Sequence, residues 1–350
     1  MRPDVETIRK MIDGAERERA FDWRTSWSKI SVGADGALEV RLSRREVFEA
    51  VASGLGLATG PERAEADGDG IRLILAGEER GDMLWTTASV ADIRRGAEHA
   101  TELLTQAIMG ETMSSLDRRG EWHLVMLEDG YHGWVRSWYV QPVDRAAVDR
   151  FRSEAGHIVS SPIAYVLSEP AAGSLPVSDI TAGSPVAVRG EESGLVLVEI
   201  PGGRRGYLDP AAIEPARTGA CPDGGRITSR AQRFLGITYV WGGTSGKGFD
   251  CSGLVKRVFA MEGIAVPRDS DQQAATGQDA PIGSREAIDP GTLLFFGEGG
   301  RITHVAVSLG GGRFVHAYGD VRVNSLIAGD GLYEERLGRS LLFARDLLRP

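Results

Sequence analysis

The sequence predicts an α+β protein: an N-terminal α/β segment, two small β-barrels, and a C-terminal domain combining helices with a β-hairpin. Three observations carry this. Apolar residues recur at helical spacing near the start of the chain and again after Cys251. Short β-runs broken by Gly, Asp and Pro fill the middle. Two alternating runs around three consecutive glycines, Gly310 to Gly312, form a hairpin pattern near the end. With 350 residues, 42% of them hydrophobic, the chain has apolar material for two to four domains.

Residues 1–87 read as the α/β segment. Val5, Ile8, Met11 and Ile12 share a helical face behind Asp4, a suitable N-cap. Leu38, Val40 and Leu42 alternate as in a half-buried strand, and so do Ile71, Leu73 and Leu75. Ser43 and Glu46 fit a capping box ahead of Val47, Phe48 and Val51. No chemistry is legible in this segment.

From 88 to 217 the runs are short: Trp122–Leu127, Gly133–Val135 and Leu195–Ile200 are examples, each ended by turn residues. Such spacing suggests small barrels. Gly110-Glu111, the run from Asp129 to Val135, and Gly206-Tyr207-Leu208 make residues 88–145 and 158–217 resemble bacterial SH3-like (SH3b) domains. Trp122, Trp134 and Trp138 read as barrel core, and His99, His123, His132 and His157 as surface or barrel residues. Ala216 to Gly225, with Cys221 inside it, reads as a linker.

The last third carries the chemistry. Ala231, Phe234 and Leu235 lie on one helical face, and Gly236 is placed to end that helix. A Gly-rich loop, Tyr239 to Gly243, leads to Asp250-Cys251-Ser252-Gly253, and apolar positions Leu254, Val255, Val258, Phe259 and Met261 then follow helical spacing. Asp250 as N-cap puts Cys251 in the first helical turn, where the dipole and free amides favour a thiolate and a lowered thiol pKa. A thiolate needs a base. His304 and His316 lie on the two hairpin strands. With a three-residue loop Leu309 faces Arg313, His304 faces Tyr318, and His316 is a diagonal neighbour of His304 on the same sheet face, roughly 7–8 Å away. Cys251 as nucleophile, His304 as base and His316 as the group orienting that base follow.

Tyr-x-Trp-Gly-Gly at 239–243, Asp-Cys-Ser-Gly-Leu at 250–254, the His304-Val305 strand and the second histidine together resemble the NlpC/P60 family of papain-like peptidases, over residues 226–350. Thr292 stands where the family usually has Asp. The resemblance implies a papain-like fold, a Cys251, His304, His316 triad, and Tyr239 close to the nucleophile, serving the oxyanion. The layout resembles γ-D-glutamyl-L-diamino acid endopeptidases that recycle murein peptides. In those enzymes polar residues grip a free N-terminal L-alanine, which implies Asp250, Ser252 and Asp269, with Trp241 shaping the pocket and Glu111 and Tyr131 contributed by the first SH3b domain. Asp250 and Asp269 serve equally well as helix caps. Other readings are a wall-cleaving extracellular endopeptidase, a non-catalytic wall-binding protein, and acyl transfer on the same fold.

Net charge of −9, without a Lys/Arg cluster, repels a phosphate backbone, so no nucleic-acid partner is expected. Two cysteines exclude a disulfide framework and a cysteine-built zinc site, and no metal or cofactor is expected. Charges run through the first thirty residues, and no apolar run suits a signal peptide or membrane span. The expectation is a cytoplasmic protein without a membrane partner; loss of a leader would make it extracellular.

Overall fold

The computed structural model describes residues 3–33, 35–65, 70–77, 82–171, 173–217 and 223–349. Cys221 and part of the expected linker lie outside them. The chain divides into two compact units, one of Met1–Trp85, Arg94–Thr101 and Thr112–Val148, the other of Thr86–Ile93, Glu102–Glu111 and Asp149–Pro350. Among the described residues no helix is long and apolar enough to cross a membrane.

In the first unit, helix Val5–Glu18 starts at Asp4, whose carboxylate accepts the Thr7 N–H at 2.7 Å. It buries Ile8, Ile12 and Ala15 beside helix Arg45–Leu55, which buries Val47, Phe48, Val51 and Ala52. Both cover a five-stranded sheet ordered Ser28–Val32, Leu38–Leu42, Ile71–Leu75, Arg63–Glu65, Ala58–Thr59, whose central pair, Leu38–Leu42 and Ile71–Leu75, is parallel. The expected capping box does not form. The second helix begins at Arg45 without a side-chain cap, because the Ser43 hydroxyl instead accepts the Trp27 N–H at 2.9 Å.

The same unit holds five neighbouring strands ordered Val140–Pro142, Met83–Thr86, Thr112–Arg119, Trp122–Leu127, His132–Arg136. Leu116, Trp122, Leu124 and Trp134 fill their core. Trp138 does not join it. It sits in the 3-10 turn Ser137–Tyr139, outside the alternation of a strand, and is 59% exposed, stacked on His99 with Arg136 3.8 Å from its ring centroid.

His132 is buried on its strand, and burial followed by the Arg44 guanidinium pushes its imidazole down to about 4. An unfolded chain takes up that proton near pH 6.5, so the contribution to stability is complete above pH 6.5 and lost as pH falls towards 4. The depression corresponds to about 3 kcal/mol. Urea unfolding at pH 7 and pH 4.5 is expected to show a smaller acid loss for His132→Gln than for the wild type; equal losses would remove His132 as its source.

In the second unit, a seven-stranded sheet is ordered Pro176–Thr181, Ile163–Leu167, Arg205–Leu208, Leu195–Glu199, Pro185–Glu192, His157–Val159, Ile213–Pro215. It closes over Val159, Val166, Ile180, Val186, Val196, Val198 and Leu208. The rest of the unit sets helices Gly224–Gln232 and Cys251–Ala260 against a six-stranded antiparallel sheet, ordered Gln278–Ala280, Leu341–Asp346, Leu293–Glu298, Arg301–Gly310, Arg313–Tyr318, Asp320–Ser325. Asp223 caps the first of these helices, so Gly224 and Gly225 belong to its first turn and not to a linker. That helix stops at Gln232, earlier than expected; Phe234 is buried beyond it, while Leu235 is 44% exposed.

Candidate active site

The nucleophile helix begins where the sequence places it. Asp250 is extended, and its Oδ1 accepts the Gly253 N–H at 2.7 Å, which leaves Cys251 as the first helical residue. Leu254, Val255, Val258 and Phe259 bury one side of the helix against Leu293, Phe295, Val305, Val307 and Val315 of the sheet. Gly253 is required by the close approach of the preceding loop: a Cβ there would lie 2.0 Å from the Gly243 carbonyl oxygen. That approach holds the Cys251 turn against the Gly-rich loop.

The histidines come from strands Arg301–Gly310 and Arg313–Tyr318. The expected loop is corrected. Gly310, not Leu309, pairs with Arg313, so the turn is the two residues Gly311 and Gly312, and Leu309 is the extra residue of a β-bulge. A two-residue turn alone would reverse the faces of one strand; the bulge restores them. Val307 and Ser308 still face Val315 and Phe314. Continued along the strands, this register sets Ala306 opposite His316 and leaves His304 on the diagonal. Both imidazoles emerge on the face of Phe296 and Phe314.

A chain of hydrogen bonds results. His304 Nε2 and His316 Nδ1 are 2.8 Å apart, and His316 Nε2 is 2.9 Å from Asn324 Oδ1. Asn324 in turn donates through Nδ2 to the Leu332 carbonyl at 3.0 Å. Tyr318, 53% exposed, lies parallel to the His316 ring, and Arg336 stacks over Tyr318 at 5.1 Å. The Cys251 sulfur meets the backbone N–H of Val305, the residue after His304. The thiol and His304 form no hydrogen bond in this structure; such bonds commonly tighten only when substrate is bound.

Electrostatics corrects a further expectation. Burial, then the Asp250 carboxylate, pushes the Cys251 thiol up to about 12, against the Val305 and Ser252 backbone donors and Arg268. From an ordinary value near 9 this is a cost to the thiolate of about 4 kcal/mol, whereas a helix dipole returns at most about 2. Desolvation therefore outweighs the dipole. Burial, then His316 and Arg336, drives His304 down to about 3. Both partners are neutral at rest. A thiol pushed up and an imidazole pushed down favour proton removal as the sulfur attacks over a stored ion pair. Burial, then Cys251 and Asp250, raises Tyr239 to about 12, so its phenol stays a donor near the sulfur.

The expected substrate residues fare differently. Asp250 is 7% exposed and engaged throughout: Oδ1 takes Gly253 N, Ser252 Oγ and Arg268 Nη1, while Oδ2 takes Gly242 N and Arg268 Nη2. Ser252, also buried, accepts from Arg268 Nη1 at 2.8 Å. These two build the site's frame and do not line its surface. Asp269 caps helix Ser270–Gln273 with Gln272 and keeps a side chain 27% exposed. Trp241 is 64% exposed and donates to Glu102 at 3.0 Å. The Glu111 carboxylate accepts from buried Arg257 at 3.0 Å and from Ile108 N at 3.1 Å, with its side chain 34% exposed. Tyr131 belongs to the first compact unit and is buried there, 4% exposed.

Sequence reasoning missed Arg268, Asn324 and strand Leu103–Ile108. Thr105 Oγ1 accepts Arg268 Nε at 2.9 Å, and Gln106 Oε1 accepts Thr244 N at 3.2 Å and Ser245 Oγ at 3.0 Å. Gly242 has φ +78, and a Cβ there would lie 2.4 Å from the Leu103 carbonyl oxygen. Only the spacing of polar residues along 103–108 could have hinted at this docking.

A thiol opening a helix, packed on an antiparallel sheet that carries paired imidazoles, defines the class: a hydrolase of the cysteine peptidase type. Within it, residues 236–337 match the NlpC/P60 family, and residues 93–137 match the bacterial dipeptidyl-peptidase SH3 domain. The chain is 27% identical over 247 residues to a γ-D-glutamyl-L-lysine dipeptidyl-peptidase of Bacillus cereus, covering 67% of this chain and 72% of that one. It is 29% identical over 245 residues to the Bacillus subtilis protein of the same name, covering 67% and 78%. An NlpC/P60 family crystal structure from Bacillus cereus shares the fold with TM-score 0.64 and 21% identity, over 76% of this chain and all of that one.

Proposed function

We propose that the protein hydrolyses the amide bond between γ-D-glutamate and an L-diamino acid in murein-derived peptides with a free N-terminal L-alanine. Cys251 attacks the γ-carbonyl carbon while His304 takes the thiol proton, oriented by His316; Tyr239 and the Cys251 turn amides donate to the oxyanion. Collapse of that intermediate breaks the C–N bond, the amine leaves with the proton from His304, and water then hydrolyses the thioester. The observation that carries the length of the product is strand Leu103–Ile108, seated on the Trp241–Ser245 loop beside Cys251. In this reading the strand limits the acyl side to two residues, and partly exposed Asp269 is the carboxylate offered to the N-terminal ammonium. The names of the two Bacillus relatives support the bond and the dipeptide product.

Purified protein is expected to release L-Ala-D-Glu from L-Ala-γ-D-Glu-L-Lys or its diaminopimelate counterpart, and N-acetylation of the alanine is expected to lower kcat/KM at least ~100-fold, as for an ammonium left without its carboxylate. Faster cleavage of intact sacculi than of free tripeptide, indifferent to acetylation, would replace this reading with a wall endopeptidase.

A further inference from the structure

Asn324 belongs to no motif, yet it ends the hydrogen-bond chain that begins at His304, and its amide is the one group there whose donor and acceptor ends are both assigned by partners. Nδ2 donates to the Leu332 carbonyl at 3.0 Å, an oxygen that can only accept, so Oδ1 faces His316 Nε2 at 2.9 Å. An amide oxygen cannot donate; His316 Nε2 therefore carries a hydrogen. His316 is 1% exposed, and burial lowers its pKa, so the ring is neutral and its Nδ1 is bare. The 2.8 Å contact to His304 is then fixed in direction: His304 Nε2–H donates and His316 Nδ1 accepts. His304, neutral as well, is left with a lone pair on Nδ1 alone.

We propose that Asn324 is a positioning residue that sets the tautomers of both histidines, so that the nitrogen of His304 not committed to His316 is the proton acceptor. Reverse the amide, and the chain reverses: His316 Nδ1–H would donate to His304 Nε2, and the free nitrogen of His304 would bear hydrogen and be useless as a base. This assignment builds on the reading of Cys251 and His304 as nucleophile and base, but the tautomers themselves are observable without turnover.

The experiment uses the full chain labelled with ¹⁵N-histidine. At pH 7 the wild type is expected to show His304 and His316 both protonated on Nε2 with bare Nδ1. Asn324→Leu is expected to lose that pattern at His316 and to lower kcat at least ~10-fold with KM within about twofold. Asn324→Asp keeps the acceptor and is expected to retain the pattern and most of kcat, with the acid limb of the pH profile moved upward because the carboxylate favours imidazolium. An unchanged tautomer pattern in Asn324→Leu, or a wild-type pattern with His316 protonated on Nδ1, overturns the assignment. Should Asn324→Leu not fold, Asn324→Asp decides: loss of the Nε2–H pattern there overturns it too. Absence of peptide turnover with the tautomers as stated would count against the proposed function and leave Asn324's role standing.

Discussion

Cys251→Ala is expected to abolish release of L-Ala-D-Glu, lowering kcat by about 10⁴- to 10⁶-fold, the scale on which nucleophile deletions act when the remaining groups work only as a set. The urea midpoint should hardly move. The residue is partly exposed at the edge of its core, and the helix cap is made by Asp250 rather than by the sulfur. The same thiol offers a second readout. A thiol held up to about 12 is protonated at pH 7, so iodoacetamide is expected to label Cys251 more slowly than a free cysteine, with the rate climbing through alkaline pH. Labelling that is fast at pH 7 and flat above it would mean a resting thiolate, and would overturn the general-base route. Persistent turnover in Cys251→Ala would remove the nucleophile itself.

What the sequence made legible was local. Asp250-Cys251 announces a cap and a first helical turn within four residues, and alternation along 301–318 brings two histidines onto one sheet face because strands have a period of two. The bulge at Leu309 was hidden, since three glycines, each with positive φ, suit a two-residue turn as well as a three-residue one. Long-range partnering was hidden too. Glu111 and Arg257 are 146 positions apart, and nothing in either neighbourhood marks them as a pair. Trp138 was read as core because tryptophans usually are, but a helical turn after the strand put it outside the alternation that decides which side chains face in. The lowered thiol pKa failed for a different reason: a dipole can be inferred from a motif, whereas desolvation depends on everything packed around the sulfur.

Arg268→Met is expected to destabilise the second unit by about 3–5 kcal/mol, read as a fall in its urea midpoint, since removing one partner of a buried pair strands the other charge. Arg268 is only 2% exposed, and its guanidinium is enclosed by acceptors: Thr105 Oγ1, Ser252 Oγ and both oxygens of Asp250. The loss reaches the nucleophile because the same Asp250 carboxylate caps the Cys251 helix and ties down Gly242. Asp250→Asn is expected to destabilise on the same scale, because it strands the Arg268 guanidinium and turns an amide NH2 towards groups that only donate, Gly242 N–H and Arg268. The double variant should then be more stable than Arg268→Met alone, an order that simple loss of packing around the arginine stem does not produce. A single Arg268→Met variant within about 1 kcal/mol of wild type would show that the pair is solvated in the folded protein, and that something other than this ion pair holds the turn bearing Cys251.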